Sequence, residues 1–212
     1  AIYPQLEHAK WNGWTFTDWI FPFFLFIVGV AMVFSFAKRK ESGAGRPELY
    51  KQVFKRSLKI FALGLFLNGF PFGLLFGHQF DIAVMRIPGV LQRIAVCFLI
   101  VSIIYLNTNL RAQLAWIVGL LAGYWMLLTL VPVPGYGSGV LEPLGSLAWF
   151  IDSNLLAGHT WSGAPAPGFD PEGILSTLGA IATTLCGVVT GQWLRSSSTK
   201  EEKTTWMFVI GN

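Results

Sequence analysis

From Trp19 to Ala37 the chain runs through nineteen residues that are apolar or small at every position except Ser35. A helix needs about 20 mainly apolar residues to cross a bilayer, so this stretch alone directs the chain toward lipid. Four more stretches behave in the same way. Ile60–Phe76 is interrupted by Asn68 and Pro71, and Ile87–Leu106 carries Gln92 and Arg93. Leu114–Val131 is the cleanest, and Ile174–Leu194 is the most polar, with Ser176, Thr177, Thr183, Thr184 and Gln192. A sixth stretch begins near Thr205. Only 12% of the 212 residues are charged, where soluble domains carry about 25%, so the chain cannot cover a water-facing globule with polar groups. The expected fold is all-α: a polytopic membrane helix bundle with five complete transmembrane helices plus the start of a sixth. Residues 1–212 form one partial domain, with a long loop over 132–172.

The basic residues orient the bundle. Lys38, Arg39, Lys40, Arg46, Lys51, Lys55, Arg56 and Lys59 fall between the first two spans, Arg111 between the third and fourth, and Arg195, Lys200 and Lys203 after the fifth. By the positive-inside rule these twelve face the cytoplasm, and they read as ordinary topology determinants in short loops. The opposite, periplasmic or lumenal side then receives His8, His78 and His159 together with Glu7, Asp18, Asp81, Glu142, Asp152, Asp170 and Glu172. Titratable chemistry is therefore expected on the outer face. Within the Pro- and Gly-rich 132–172 loop, Pro143–Gly158 suits a short amphipathic helix on the membrane, and Trp149, Phe150 and Trp161 suit a packed lid. Both ends of the sequence read as those of a piece of a longer membrane protein, since it opens on Ala1 and closes within an apolar run. Cys97 and Cys186 both lie in apolar runs, which argues against a disulfide framework. No metal-ligand spacing, phosphate-cradling glycine loop or nucleic-acid-binding basic–aromatic patch is present.

Several polar residues sit where lipid makes them costly. His8, just before the first span, is either an interfacial residue beside Trp11, Trp14 and Trp19 or a base at the mouth of the bundle. Asp18 follows Thr15 at capping-box spacing, yet an acid at the hydrocarbon boundary wants a partner. Arg93 is expected inside the third helix, opened by Pro88, with Arg86 two turns earlier on the same face. Arg93 is expected to pair with Asp18, because both lie in the outer part of their spans. Asp170, Pro171 and Glu172 have the chemistry of a helix start, with Asp170 as N-cap of the fifth span. Asp152 and His159, seven residues apart, are expected to share a cavity. His78 reads as surface, and Asn68 as a helix-packing residue.

Four stretches carry a resemblance: His8-Ala-Lys-Trp-Asn-Gly with Thr17-Asp18 and Phe21-Pro22-Phe23; Arg86-Ile-Pro-Gly-Val-Leu-Gln-Arg93; Ile151-Asp152 through Gly158-His159; and Asp170-Pro-Glu-Gly-Ile-Leu with Thr177. In this order they resemble the transmembrane acetyltransferase family of lysosomal heparan-alpha-glucosaminide N-acetyltransferase and its bacterial relatives. The resemblance implies transfer of acetyl from cytoplasmic acetyl-CoA to the amine of a glucosamine-type sugar on the other side of the bilayer. The family's catalytic histidine matches His8, as base or acyl acceptor, with Asp18 beside it and Asn12 or Arg93 as candidate oxyanion donors. Arg86, Asp152, His159, Asp170 and Glu172 are candidate substrate-binding or charge-balancing residues. The family's first transmembrane helix and its later helices lie outside this sequence, so the piece is expected to be inactive alone.

The short loops point to a bacterial inner membrane and to a cell-wall or nutrient amino sugar as acceptor. The expected partners are the bilayer and a sugar or glycan, with a second copy of the chain as a further candidate; no metal and no nucleic acid are expected. An amino-sugar transporter, an O-acyltransferase of an envelope glycan and a structural membrane subunit are the rival readings.

Overall fold

The computed structural model describes residues 3–11, 13–72 and 81–211. Among the described residues seven α-helices carry the fold, and no strand is present beyond an isolated Val133–Gly137 bridge. They are α1 (Phe16–Glu41), α2 (Arg46–Gly69), α3 (Val90–Asn107), α4 (Leu110–Leu130), α5 (Leu147–Leu155), α6 (Thr177–Leu194) and α7 (Lys200–Gly211). Four of these, α1, α3, α4 and α6, are long and apolar enough to cross a membrane. His78 and the end of the expected Ile60–Phe76 span lie outside the described residues.

The helices start where short polar side chains can take up free backbone N–H groups. Asp18 Oδ2 accepts from Thr15 N at 2.8 Å at the head of α1, and Asn109 Oδ1 accepts from Ala112 N at 3.0 Å at the head of α4. Lys38, Arg39 and Lys40 close α1, where cations favour the helix dipole.

Glycine sets the helix directions. A methyl at Gly187 of α6 would overlap the Phe26 carbonyl of α1, and one at Gly191 would meet Val30 O at 3.0 Å. Both numbers rise together, so α1 and α6 run parallel with their backbones nearly touching. Gly29 of α1 faces Thr184 and Val188 in the same way. Leu25, Met32, Val33, Phe36, Cys97, Val101, Leu185 and Val188 fill the core beside this seam. α4 is the reverse case: Trp116, Val118, Leu121 and Trp125 are exposed, as lipid contact requires.

α2 departs from expectation. Lys51, Lys55, Arg56 and Lys59 belong to this helix and not to a loop, because Gly45, Pro47 and Glu48 start it fourteen residues before Ile60. Arg46 Nη2 donates to Leu106 O at one end, and Asn68 Nδ2 donates to Arg86 O (2.9 Å) and Pro88 O (3.0 Å) at the other. α2 therefore lies antiparallel along the whole of α3. Asn68 serves the arriving backbone and not helix packing.

Two helix starts also shift. α3 opens at Val90 after Gly89, so Pro88 and Arg86 precede the helix and Arg93 sits in its first turn. α6 opens at Thr177 after Ser176, which frees Asp170-Pro171-Glu172-Gly173 to form a separate turn. Between α4 and α6 the long loop is ordered around α5, with Val133, Leu147, Ala148, Ala166, Phe169 and Leu175 as its own apolar cluster.

Candidate active site at the His8 end

Asp18 carries two loads with its two oxygens. While Oδ2 caps α1 and also accepts from Ala9 N (3.1 Å), Oδ1 accepts a hydrogen bond from His8 Nδ1 at 2.6 Å. A carboxylate only accepts, so Nδ1 is the donor in this contact, and in the neutral ring the lone pair lies on Nε2. The His8 side chain is 76% exposed, so Nε2 is open to a reactant. One Asp18 side chain thus both caps α1 and pairs with His8.

Opposite the pair lies a charged node. Arg86 donates through Nε to Asp170 Oδ2 at 2.8 Å and through Nη2 to Asp170 Oδ1 at 2.6 Å, a bidentate arrangement, and Nη2 also reaches Glu172 Oε2 at 2.5 Å. Asp170 is fully buried and accepts further from Trp161 N (2.8 Å) and Glu172 N (2.9 Å). Burial works against the Arg86 charge, but the hydrogen bond and charge of Asp170, followed by those of Glu172, outweigh it and hold Arg86 above its ordinary pKa. Its guanidinium also lies 5.7 Å from the Trp161 ring centroid.

His8, Asp18, Arg86 and Glu172 line one open cavity of about 620 Å³, walled by Trp11, Trp161 and Phe169, with Lys10 and Pro171 on its rim. Trp11 packs edge-on to Phe169, with centroids 5.2 Å apart, and its Nε1 donates to Leu141 O at 3.0 Å, tying the N-terminal segment to the long loop. The role of this aromatic wall went unread in the sequence, although Trp11 follows His8 by three and Trp161 follows His159 by two.

The expected Asp18–Arg93 pair is not formed. Arg93 instead donates to the carbonyls of Pro171 (3.0 Å) and Gly173 (3.1 Å) and to Ser176 Oγ, so it holds the turn that presents Glu172. Both residues lie at the same end of the bundle, but Asp18 turns to its own N-terminal segment. Nor do Asp152 and His159 share the cavity. Asp152 Oδ1 accepts from Ile174 N at 2.9 Å and its carboxyl lies against Gly173, where a side chain would collide with it. Burial, only partly offset by the hydrogen bond from Ile174 N, raises its pKa to about 6. His159 Nδ1 donates to Met85 O at 2.8 Å, while its carbonyl accepts from Ile87 N at 2.9 Å, pinning the segment that carries Arg86. Asn12 lies outside the described residues. Among the described residues no cluster of three His, Cys, Asp or Glu side chains offers a metal site.

The bundle and its cavity define a multi-pass helical membrane protein with a histidine–carboxylate pair at the mouth of an aromatic-walled pocket. Residues 3–210 match the family model described as heparan-alpha-glucosaminide N-acetyltransferase, catalytic, and the chain belongs to this family. It is 29% identical over 255 aligned positions to human heparan-alpha-glucosaminide N-acetyltransferase, covering 99% of this chain and 38% of that protein. The mouse protein of the same name is 28% identical over 233 positions, covering 91% and 35%. The chain thus spans little more than a third of the length of these relatives.

Proposed function

We propose that this chain supplies the sugar-side half of a membrane acetyltransferase, one that moves acetyl from acetyl-CoA on the cytoplasmic side to the amine of a glucosamine-type sugar held in the His8 cavity. The observation that carries the reading is the His8–Asp18 pair: Nε2 is open, Nδ1 is held by a carboxylate, and both face an aromatic wall with charged groups at its edge. A pyranose ring has flat apolar faces that suit Trp11 and Trp161, and hydroxyls that suit Glu172 and Arg86. His8 Nε2 takes a proton from the sugar ammonium, and the freed nitrogen attacks the thioester carbonyl. The C–N bond forms as the C–S bond breaks, the leaving thiolate takes the proton from His8, and the new amide nitrogen gives up its second proton to the freed imidazole and from there to solvent. In the acyl-acceptor variant, Nε2 itself attacks as the thiolate leaves, and the free sugar amine then takes the acetyl from Nε2, its released proton neutralising the thiolate. Asp18 holds the ring in the useful tautomer and balances the imidazolium.

The same reading orients the molecule. Lys38–Lys40, Arg46, Arg111 and Arg195 collect at the end opposite His8, so that end is cytoplasmic and the His8 cavity opens to the periplasm or lumen. α2, antiparallel to α3 over its full length, is the fifth crossing, and residues 132–172 form a lid over the outer mouth. A bacterial inner membrane and a cell-wall or nutrient amino sugar remain the setting and acceptor that fit the short loops.

The test uses the complete parent protein in sealed vesicles, with labelled acetyl-CoA on the cytoplasmic side and glucosamine on the other. Labelled N-acetylglucosamine should form, and His8→Ala should lower its rate by about 10²–10⁴-fold. Asp18→Asn should lower it too, with the protein still folded. Glucosamine crossing without acetylation would establish the transporter instead, and an ester product the O-acyltransferase.

A further inference from the structure

Gln92 is a buried polar side chain that the fold leaves unserved. It is 4% exposed, and its carboxamide is fitted against Gly64 and Gly89, where any side chain would collide with it. Its Nε2 nevertheless has no hydrogen-bond partner among the described residues, and neither has Nε of Arg93 beside it. A buried donor without an acceptor is costly, so two together mark a place where another molecule brings an oxygen.

Both residues line a second cavity, of about 360 Å³, in the size range of small-ligand sites. Its deeper walls are Val96 and Ile100 of α3 and Leu178 and Ile181 of α6. Ile100 lies ten residues past Val90, so the cavity reaches roughly 15 Å below the His8-side end of α3. Since α3 is long enough to span, that depth is close to the middle of a hydrocarbon core about 30 Å thick. Gln92, Arg93, Glu172 and Thr177 gather at the upper end, and the lining below them is apolar.

The two cavities share a wall. Arg86 lines the His8 cavity, and Ile87 and Pro88, next in the chain, line the second. On the facing turn Pro171 and Gly173 divide in the same way, with Glu172 between them lining both. A sugar held at Glu172 thus has, on the far side of that residue, two free donors and then an apolar shaft. A water molecule could serve the donors, but the apolar length beneath them suits a hydrocarbon chain.

We propose that the second cavity takes the apolar tail of the acceptor, so that the amino sugar is acetylated as part of a glycolipid. The amine stays at His8, an ester carbonyl of the tail accepts from Gln92 Nε2 and Arg93 Nε, and the acyl chain lies along Val96, Ile100, Leu178 and Ile181. A glycosyl glycerolipid carries sugar, ester and chain in the order in which the two cavities offer charge, donors and hydrocarbon. The inference rests on the proposed function and narrows its acceptor.

The experiment uses the complete protein in nanodiscs, with labelled acetyl-CoA and three acceptors. These are glucosamine, glucosaminyl dihexanoylglycerol and the matching diether, which lacks the carbonyls. The ester glycolipid should show kcat/KM at least tenfold above glucosamine. Ile100→Phe and Leu178→Phe, which fill the cavity from opposite walls, should each cut that ratio about tenfold. Val118→Phe, on the exposed face of α4, should leave the ratio as it is. The parent should prefer ester to ether about tenfold, and Gln92→Leu should abolish the preference without lowering the thermal midpoint. A ratio that survived both Phe variants would reflect partition into the bilayer and overturn the inference. Equal kcat/KM for glycolipid and glucosamine would leave the cavity to bilayer lipid and overturn it as well. An ester preference that was absent, or untouched by Gln92→Leu, would overturn the role of the two donors. Binding of labelled glycolipid is read alongside turnover. Acetylation of glucosamine with no glycolipid advantage would sink this inference and leave the proposed function standing. Glycolipid binding lost in both Phe variants, with no acetyl transfer to any acceptor, would do the reverse.

Discussion

The α1–α6 seam and the His8 cavity solve the same problem in opposite ways. At the seam, Gly29, Gly187 and Gly191 remove side chains so that two backbones meet, and nothing there needs a charge. At the cavity, charged side chains bridge backbone that cannot pair with itself: Arg93 gathers the carbonyls around Pro171, and Asp170 gathers Trp161 N and Glu172 N around Arg86. Regular helices satisfy their own hydrogen bonds, so lipid-depth packing depends on shape. Irregular turns do not, so the cavity end depends on buried polar partners. The seam tolerates no added volume, and the cavity tolerates no lost charge.

The largest test of this contrast removes the charge. Arg86→Ala leaves the Asp170 carboxylate buried without its cation and should cost about 3–5 kcal/mol, read as a fall in the thermal midpoint in detergent together with loss of transfer. Arg86→Lys should recover only part, because the bidentate geometry is lost. If Arg86→Ala melted like the parent, the charged node would be dispensable and the contrast would collapse. Next comes volume. Gly187→Ala should cost about 1–3 kcal/mol by forcing α1 and α6 apart, whereas Gly119→Ala on lipid-facing α4, with open space around it, should be neutral in the same melt. Equal effects at the two glycines would mean that close approach is not what holds the seam.

The smallest effect sharpens the electrostatic side. The folded protein holds the Asp152 proton more tightly than the unfolded chain, with a pKa of about 6 against an ordinary 3.8. Its contribution to stability therefore falls as pH rises from about 4 to 6 and is constant above that. Asp152→Asn removes the titration while keeping an acceptor for Ile174 N. The midpoint of Asp152→Asn relative to the parent should accordingly climb by a few degrees between pH 4 and 6 and then level off. A difference that stayed flat across that range would show that Asp152 is not held in a desolvated place.

Depth was legible in the chain, and direction around a helix was not. Apolar runs measure how far a segment lies from water, so α1, α3, α4 and α6 and the gathering of His8, Asp18, Arg86 and Glu172 at one end could be read directly. The supposed Asp18–Arg93 pair failed because equal depth says nothing about which way a side chain points. Charge spacing also misled at α2, where a basic run read as a loop continues a helix already begun at Gly45. The Asp170 turn was mistaken for a helix start because Asp-Pro-Glu is equally good chemistry for a turn that binds a distant arginine.

By itself, the sequence determined an all-helical membrane protein, the titratable character of one end and the local motifs around His8 and Arg86, since hydrophobic length and short-range capping are properties of neighbouring residues. Only the tertiary structure decided that Asp18 divides its oxygens between a helix cap and His8, that Arg86 joins Asp170 and Glu172 across more than eighty residues, and that the basic run of α2 lies on a helix tied at both ends to α3. Those outcomes depend on how helices are rotated and how long loops close over them, and that is settled by packing between segments far apart in the chain.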